Sequence, residues 1–286
     1  NFENGYILNY TVERVSDSAY LGDYGYTARN ELSSGLNYSK VQNDRFFEAS
    51  LGVNQSLYRV DRDNLTLTTN NYYDRIFNQA FIPGSLRFKS ELVGSWRKGS
   101  EDIIGRDRAR FGNQLIWGNS KISQWGLEYG SGVNLNQDLF LAVHDSRLND
   151  FEILNGIGAN TYIRLPMISK SQKATHFLEP IAQVAWGKRK DAIVYIDESL
   201  NTEFDMGNLL SISRYSTSDQ FETGAHAAYG LRYKYQKTKN IHGGMALGQV
   251  LRANEQQSFT NSSGLRNRNS DIFLTAELTL PYKSYI

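Results

Sequence analysis

The chain has 286 residues, with 31 basic and 30 acidic side chains, a formal net charge of +1 and no cysteine. The charges are interspersed, which argues against a basic nucleic-acid surface or a polybasic membrane arm, and without thiols there are neither disulfides nor thiolate metal sites. Hydrophobic residues make up 40% and mean hydropathy is −0.51; with no run of 18 apolar residues, crossing a membrane by helices is excluded.

A transmembrane barrel escapes that test, because only every second residue of its strands must meet lipid. The 18 tyrosines, 14 phenylalanines and 24 glycines beside only 4 prolines suit long strands with interfacial aromatics, a balance that aromatic-rich soluble sandwiches share. The chain opens NFENGYILNY, with no methionine and no signal peptide, and closes on an alternating run, so both ends are expected to be cuts in a longer protein.

In chain order, Gly5 to Val15 reads as a strand, and Ser16 to Tyr24 (SDSAYLGDY) as a polar turn with aromatic residues. From Glu31 to Val41, Leu32, Leu36 and Tyr38 fall on one face and Glu31, Ser33, Asn37 and Ser39 on the other. Asn43-Asp44 then turns the chain into a strand with Phe47, Ala49, Leu51 and Val53 on one face. Residues 59–83 are irregular and read as a long connection holding a piece of strand. Ser85 to Arg97 restores the alternation, with Leu86, Phe88, Leu92 and Trp96 outward and Arg87, Lys89, Glu91, Ser95 and Arg97 inward. Such a charged face suits a wet lumen, or a soluble sheet with that face in water, and no packed core.

Further strands are expected over Arg108–Gly118, Gly126–Val143 and Ile153–Leu165. Thr175–Trp186 gathers Leu178, Pro180, Ala182, Val184 and Trp186 on one face, against Glu179 and Gln183; Pro180 cannot donate to a ladder and marks a local break in pairing. After the long non-alternating stretch from Lys188 to Gln220 comes the clearest strand. Ala225, Ala227, Tyr229, Leu231, Tyr233 and Tyr235 alternate there with His226, Ala228, Gly230, Arg232, Lys234 and Gln236. Its length is roughly twice the 5–6 residues usual in soluble proteins. Ile241–Arg252, a Ser/Asn-rich loop at Ser258–Ser270 and a strand aligning Ile272, Leu274, Ala276, Leu278 and Leu280 complete the chain. About ten or eleven strands, links alternately short and long, and no helical period predict an all-β fold, an antiparallel up-and-down transmembrane β-barrel.

Chemistry-bearing motifs are missing. His144, His176, His226 and His242 have no metal-ligand spacing, and neither a GxSxG elbow nor a phosphate-binding glycine loop occurs, so no enzyme, cofactor or metal is expected. Asp197, Glu198, Glu203 and Asp205 read as a solvated acidic loop ahead of a cation site. The inward Arg87, Lys89, Arg232 and Lys234 are candidates for contact with an anionic lipid or a plug, weighed against plain lumen solvation.

Several stretches resemble the lipopolysaccharide-assembly outer-membrane protein family, LptD. Glu203 to Tyr235 is similar to that family's acidic Asn-Leu loop, Arg-aromatic pair, Asp and strand ending in GLRY, on Asn208, Leu209, Arg214, Tyr215, Asp219, Gly224 and Gly230 to Tyr233. THFLEPIAQVAW is similar to its His-x-x-Glu-Pro strand on His176, Glu179 and Pro180, IRLP (Ile163 to Pro166) to the segment before it, and SDSAYLGDY to its Ser-Asp-x-x-aromatic-Leu motif. The resemblance implies an integral barrel in the Gram-negative outer membrane that takes lipopolysaccharide from periplasmic bridge proteins and releases it into the outer leaflet through a lateral opening. A lipoprotein plug of the LptE type and outer-membrane lipids are the further partners implied. Neither the family's periplasmic jelly-roll nor its terminal barrel strands are recognisable, so residues 1–286 are expected to be a middle segment of the barrel wall. Two other readings stay open: a porin or substrate-specific channel, and a soluble β-rich binding domain.

Overall fold

The computed structural model describes residues 5–280 apart from 16, 18, 26–28, 30, 58–64, 79–81, 98–106, 146–149, 191–201, 216–219 and 239–240. The alternating segments form strands β1 (Tyr6–Thr11), β2 (Glu31–Val41), β3 (Arg45–Ser56), β4 (Leu65–Asn78), β5 (Ser85–Arg97), β6 (Asp107–Ile122), β7 (Glu128–Val143), β8 (Asp150–Arg164), β9 (Met167–Lys170), β10 (Thr175–Arg189), β11 (Gly224–Thr238), β12 (Ile241–Arg252) and β13 (Phe273–Thr279). They make one 13-stranded sheet in which order in space follows order in sequence. All pairings are antiparallel, and among the described residues β1 and β13 each pair on one side only. β8 and β9 are one stave in two pieces: both face β10, Arg164 opposite Ile181 and Met167 opposite Leu178, with Leu165-Pro166 between. Pro180 lies across from that gap. Leu165 N–H donates to the Pro180 carbonyl at 3.1 Å, and Pro180, lacking an N–H, returns no bond.

The two faces of the sheet invert the usual distribution. Outward, Leu36 lies beside Leu51, Leu135 beside Leu115 and Ile157, and Leu247 beside Leu231 and Leu274. Leu36, Leu51, Leu115, Leu135, Ile157, Leu247 and Leu274 are all exposed, whereas the inward Asp74, Arg110, Asp138, Glu179 and Gln183 are buried. In water, contiguous exposed apolar patches rarely exceed a few hundred Å² (roughly 300–600 Å² for the largest). A wall of this kind is stable when hydrocarbon covers the apolar side, and it is the two-faced stave of a transmembrane barrel.

The ends of the sheet differ as well. Residues 42–44, 79–84, 123–127, 171–174 and 239–240 connect strands at one end, and residues 12–30, 57–64, 98–106, 144–149, 190–223 and 253–272 at the other. The link 123–127 is a true turn: Gly126 adopts φ +81°, which a β-carbon would strain, while Ser123 N–H reaches Leu127 O at 2.8 Å. Outward aromatics gather at this end, where Tyr6 stacks on Tyr38 at 5.8 Å, Tyr38 meets Phe47 at 6.0 Å and Tyr73 meets Phe88 at 6.2 Å. Such girdles mark the level where lipid headgroups begin.

Two expectations need correcting. Residues 65–78 are a full strand of 14 residues and not a fragment within a connection. Its alternation is masked because Thr69 and Asn71 face outward among Leu67, Tyr73 and Phe77, while Tyr72 faces inward beside Asn70 and Asp74. β4 and the detached β9 raise the strand count above the ten or eleven expected. The segment read as a polar turn also contains one helical turn, Tyr20–Asp23.

Candidate functional site

Residues 202–215 and 220–223, ahead of β11, fold back over the inner face of the sheet. Its hydrophobic anchor is Leu209, fully buried with Ile181, Ala228, Ala246, Val250 and Phe273. Glycines make the room: a β-carbon on Gly230 would lie 2.6 Å from Leu209 Cδ2, and one on Gly248 2.9 Å from it. On the neighbouring staves Ile212 and Phe221 cover Gly158, and the Glu222 backbone crosses Gly187 so closely that an added β-carbon would meet its carbonyl oxygen at 2.2 Å. Gln183 on β10 donates to Ser211 O at 3.2 Å.

Asn208 sets the bend that delivers Leu209. Its Nδ2 donates to Glu203 O at 2.5 Å, and the Asp205 carboxylate accepts from the backbone N–H of Gly207 at 2.7 Å and of Asn208 at 3.2 Å. This is the local side-chain turn chemistry for which Asx residues are favoured.

Beyond it lies a buried ionic knot. Arg214, 2% exposed, donates from Nη1 to Glu222 Oε2 and from Nη2 to Leu209 O, both at 2.8 Å. Glu222 is 0% exposed, and its Oε1 accepts from Arg252 Nε of β12 at 2.6 Å. His226 of β11 stands with Nδ1 3.9 Å from the same oxygen. The knot thereby joins Leu209 and Arg214 to Glu222, just ahead of β11, and ties them to the barrel wall through Arg252. The connection 253–272 closes over it, with Phe259 stacked on Tyr215 at 4.1 Å and 8°, and Gln256 donating to Thr223 O at 2.8 Å.

Burial alone would push the Glu222 carboxyl up, but Arg214, His226 and Arg252 outweigh it and hold it below the usual carboxylate range. Because the folded value lies under the unfolded one, the stabilisation is fully present above the ordinary value of 4.5 and is lost as pH falls through the lower folded value. Loop seating is therefore expected to hold constant from neutrality to about pH 5 and to weaken only in strong acid. Hydrogen exchange of the loop's backbone amides, corrected for its intrinsic pH dependence, checks this across the range. Glu222→Gln should flatten the acid response, and a response unchanged by that substitution would show that other carboxylates carry it.

Further ion pairs line the inner face. Arg110 reaches Glu91 at 2.8 Å and Asp138 at 3.5 Å, Arg189 reaches Asp138 at 3.2 Å, and Arg164 reaches Glu128 at 2.6 Å. Of the residues singled out from sequence, Arg87 pairs with Asp74, its Nε donating at 2.7 Å, and Arg232 pairs with Glu179 across β10 and β11. Lys89 lines a cavity of about 490 Å³ with Tyr72, Gln114, Ser211, Tyr215 and Phe221, between β4–β6 and the inserted loop. Lys234 is on the same inward face of β11, exposed. His176 and Pro180 face outward, His176 Nδ1 lying 2.8 Å from the Tyr233 hydroxyl. Arg87 and Lys89 on β5 are thus separated from Arg232 and Lys234 on β11 by four staves, so these four cations do not form one site. Asp219, Asp197 and Glu198 lie outside the described residues.

Sequence reasoning missed Glu222, Arg252 and the receiving glycines. Glu222 and Arg252 are 30 residues apart, and no local periodicity links a loop acid to a strand base. Among the described residues no cluster of three or more His, Asp or Glu is placed to hold a metal ion.

The family model described as LPS transport system D, LptD, matches residues 1–286. No curated protein matches the chain. An apolar exterior on a charged interior is what an outer-membrane wall requires, and with the match running from first residue to last the chain belongs to the LptD family, outer-membrane components of lipopolysaccharide transport and assembly.

Proposed function

We propose that this wall forms part of a barrel that receives lipopolysaccharide from periplasmic bridge proteins and passes it to the outer leaflet through a lateral opening, its lumen filled by the inserted loops and by an LptE-type lipoprotein plug. The observation that carries the reading is the inner face itself. It is polar, ion-paired and partly covered by a loop pinned through Arg214 and Glu222, which favours a guarded chamber for a saccharide over an open pore. Among the described residues β1 and β13 each pair on one side only, and unpaired strand groups are untenable in hydrocarbon, which supports a barrel completed by further staves.

A photo-crosslinker placed at Arg232 or Lys89 of the full-length protein in cells tests this. Lipopolysaccharide adducts are expected from both inner positions and not from the outward Tyr129 at the short-turn end, which faces the periplasmic leaflet. Solute conductance without adducts would replace the reading with a substrate-selective channel, and recovery without detergent would replace it with a soluble binder.

A further inference from the structure

The outer face is largely apolar, but at the short-turn end of β2–β4 it carries three cations. Lys40 shares the outward parity of Leu36 and Tyr38, Arg45 that of Phe47 and Ala49, and Arg75 that of Tyr73 and Phe77. The register sets Arg45 directly opposite Arg75, and Lys40 opposite Phe47 one outward step along the same strand. Like charges facing each other across a ladder destabilise it. Among the described residues, the carboxylate within ion-pair distance of these arginines is Asp44 in the adjoining turn, 3.2 Å from Arg45 Nε and 3.8 Å from Arg75 Nε. Arg75 Nε has no hydrogen-bond partner among the described residues. The inward arginines Arg87, Arg110, Arg232 and Arg252 each have a carboxylate at 3.5 Å or less, whereas among the described residues Arg45 and Arg75 share the single carboxylate of Asp44 and, with Lys40, leave this spot positive.

Aromatic rings frame the spot at a defined depth. Lys40 Nζ lies 4.1 Å over the Tyr6 ring and donates to its hydroxyl at 2.5 Å, and the Arg75 guanidinium lies 4.5 Å over Phe77. Outer-membrane barrels keep their short turns on the periplasmic side, so this level meets the headgroups of the inner leaflet. We propose that Lys40, Arg45 and Arg75 form a binding site for the phosphate of an anionic phospholipid in the periplasmic leaflet. Arg45 donates from Nε and Nη2 to the two Asp44 oxygens at 3.2 and 3.3 Å, so a phosphate oxygen would compete with that carboxylate for Arg45 while the Arg75 guanidinium opposite supplies further donors, and the stacked rings accept the acyl side of the headgroup. The proposal needs the barrel in the membrane, though not the lipopolysaccharide route through it.

The test uses the full-length protein in nanodiscs of phosphatidylcholine doped with phosphatidylglycerol, with retained lipid counted by native mass spectrometry. The wild type is expected to enrich phosphatidylglycerol, and Arg45→Gln with Arg75→Gln to lose about five-fold per arginine removed. Equal enrichment in variant and wild type overturns the site. Free phosphate shares the headgroup's chemistry, so inorganic phosphate at millimolar concentration is the second arm: unchanged retention supports the lipid assignment, and displacement overturns it. Should the double variant fail to fold, Asp44→Asn serves instead. Removing the competing carboxylate is expected to raise enrichment, and a fall overturns the proposal.

Discussion

Replacing Arg214 with alanine is expected to unseat the inserted loop, at a cost of about 3–5 kcal/mol, while the barrel wall stays folded. The size follows from what is left behind. Glu222 keeps only Arg252 as a hydrogen-bonded cation at full burial, and Leu209 O loses its side-chain donor. An unbalanced buried charge costs far more than the pair was worth, so replacing all three hydrogen-bonded charges, Arg214→Met with Glu222→Met and Arg252→Met, should recover much of the loss. Residues 1–286 contain no cysteine, so Ser211→Cys is the one thiol of this segment and reports on the loop. In the Arg214→Ala background its labelling should quicken by roughly a hundred-fold or more, each factor of ten corresponding to about 1.4 kcal/mol. Labelling no faster than in the wild type would mean that hydrophobic seating at Leu209 holds the loop alone.

Gly187→Val attacks the same loop from the wall. The new β-carbon would stand 2.2 Å from Glu222 O and 2.9 Å from the Phe221 ring. The first of these is backbone and cannot swing aside. The loop must lift off β10, an overpacking penalty of about 1–3 kcal/mol or more. Gly118→Ala is the control, because its nearest such neighbour is Ser131 O at 4.0 Å. Ion conductance of the full-length protein in planar bilayers should rise for Gly187→Val and not for Gly118→Ala. An unchanged conductance in both would show that the inserted loop does not obstruct the lumen.

These two substitutions sit at the boundary between local and long-range information. The faces of β5, β11 and β13 were legible from alternation because neighbouring side chains on a strand point to opposite sides. Ser85–Arg97 already declares which residues meet lipid and which meet water. β4 was the exception, since polar Thr69 and Asn71 occupy its outward positions and Tyr72 its inward one. The resemblance drew attention to Asn208 and Arg214 without saying what they touch. It gave no sign that Leu209 seats against Gly230 and Gly248, or that Arg214 and Arg252 share one carboxylate.

By itself, then, the sequence determined a two-faced wall of long antiparallel staves and the family to which it belongs. Only the tertiary structure decided that the loop before β11 turns inward and is locked there. The reason is physical: strand faces follow from a period of two and hydropathy, both local, whereas a loop's seat depends on glycine gaps and counter-charges contributed by strands on either side of it.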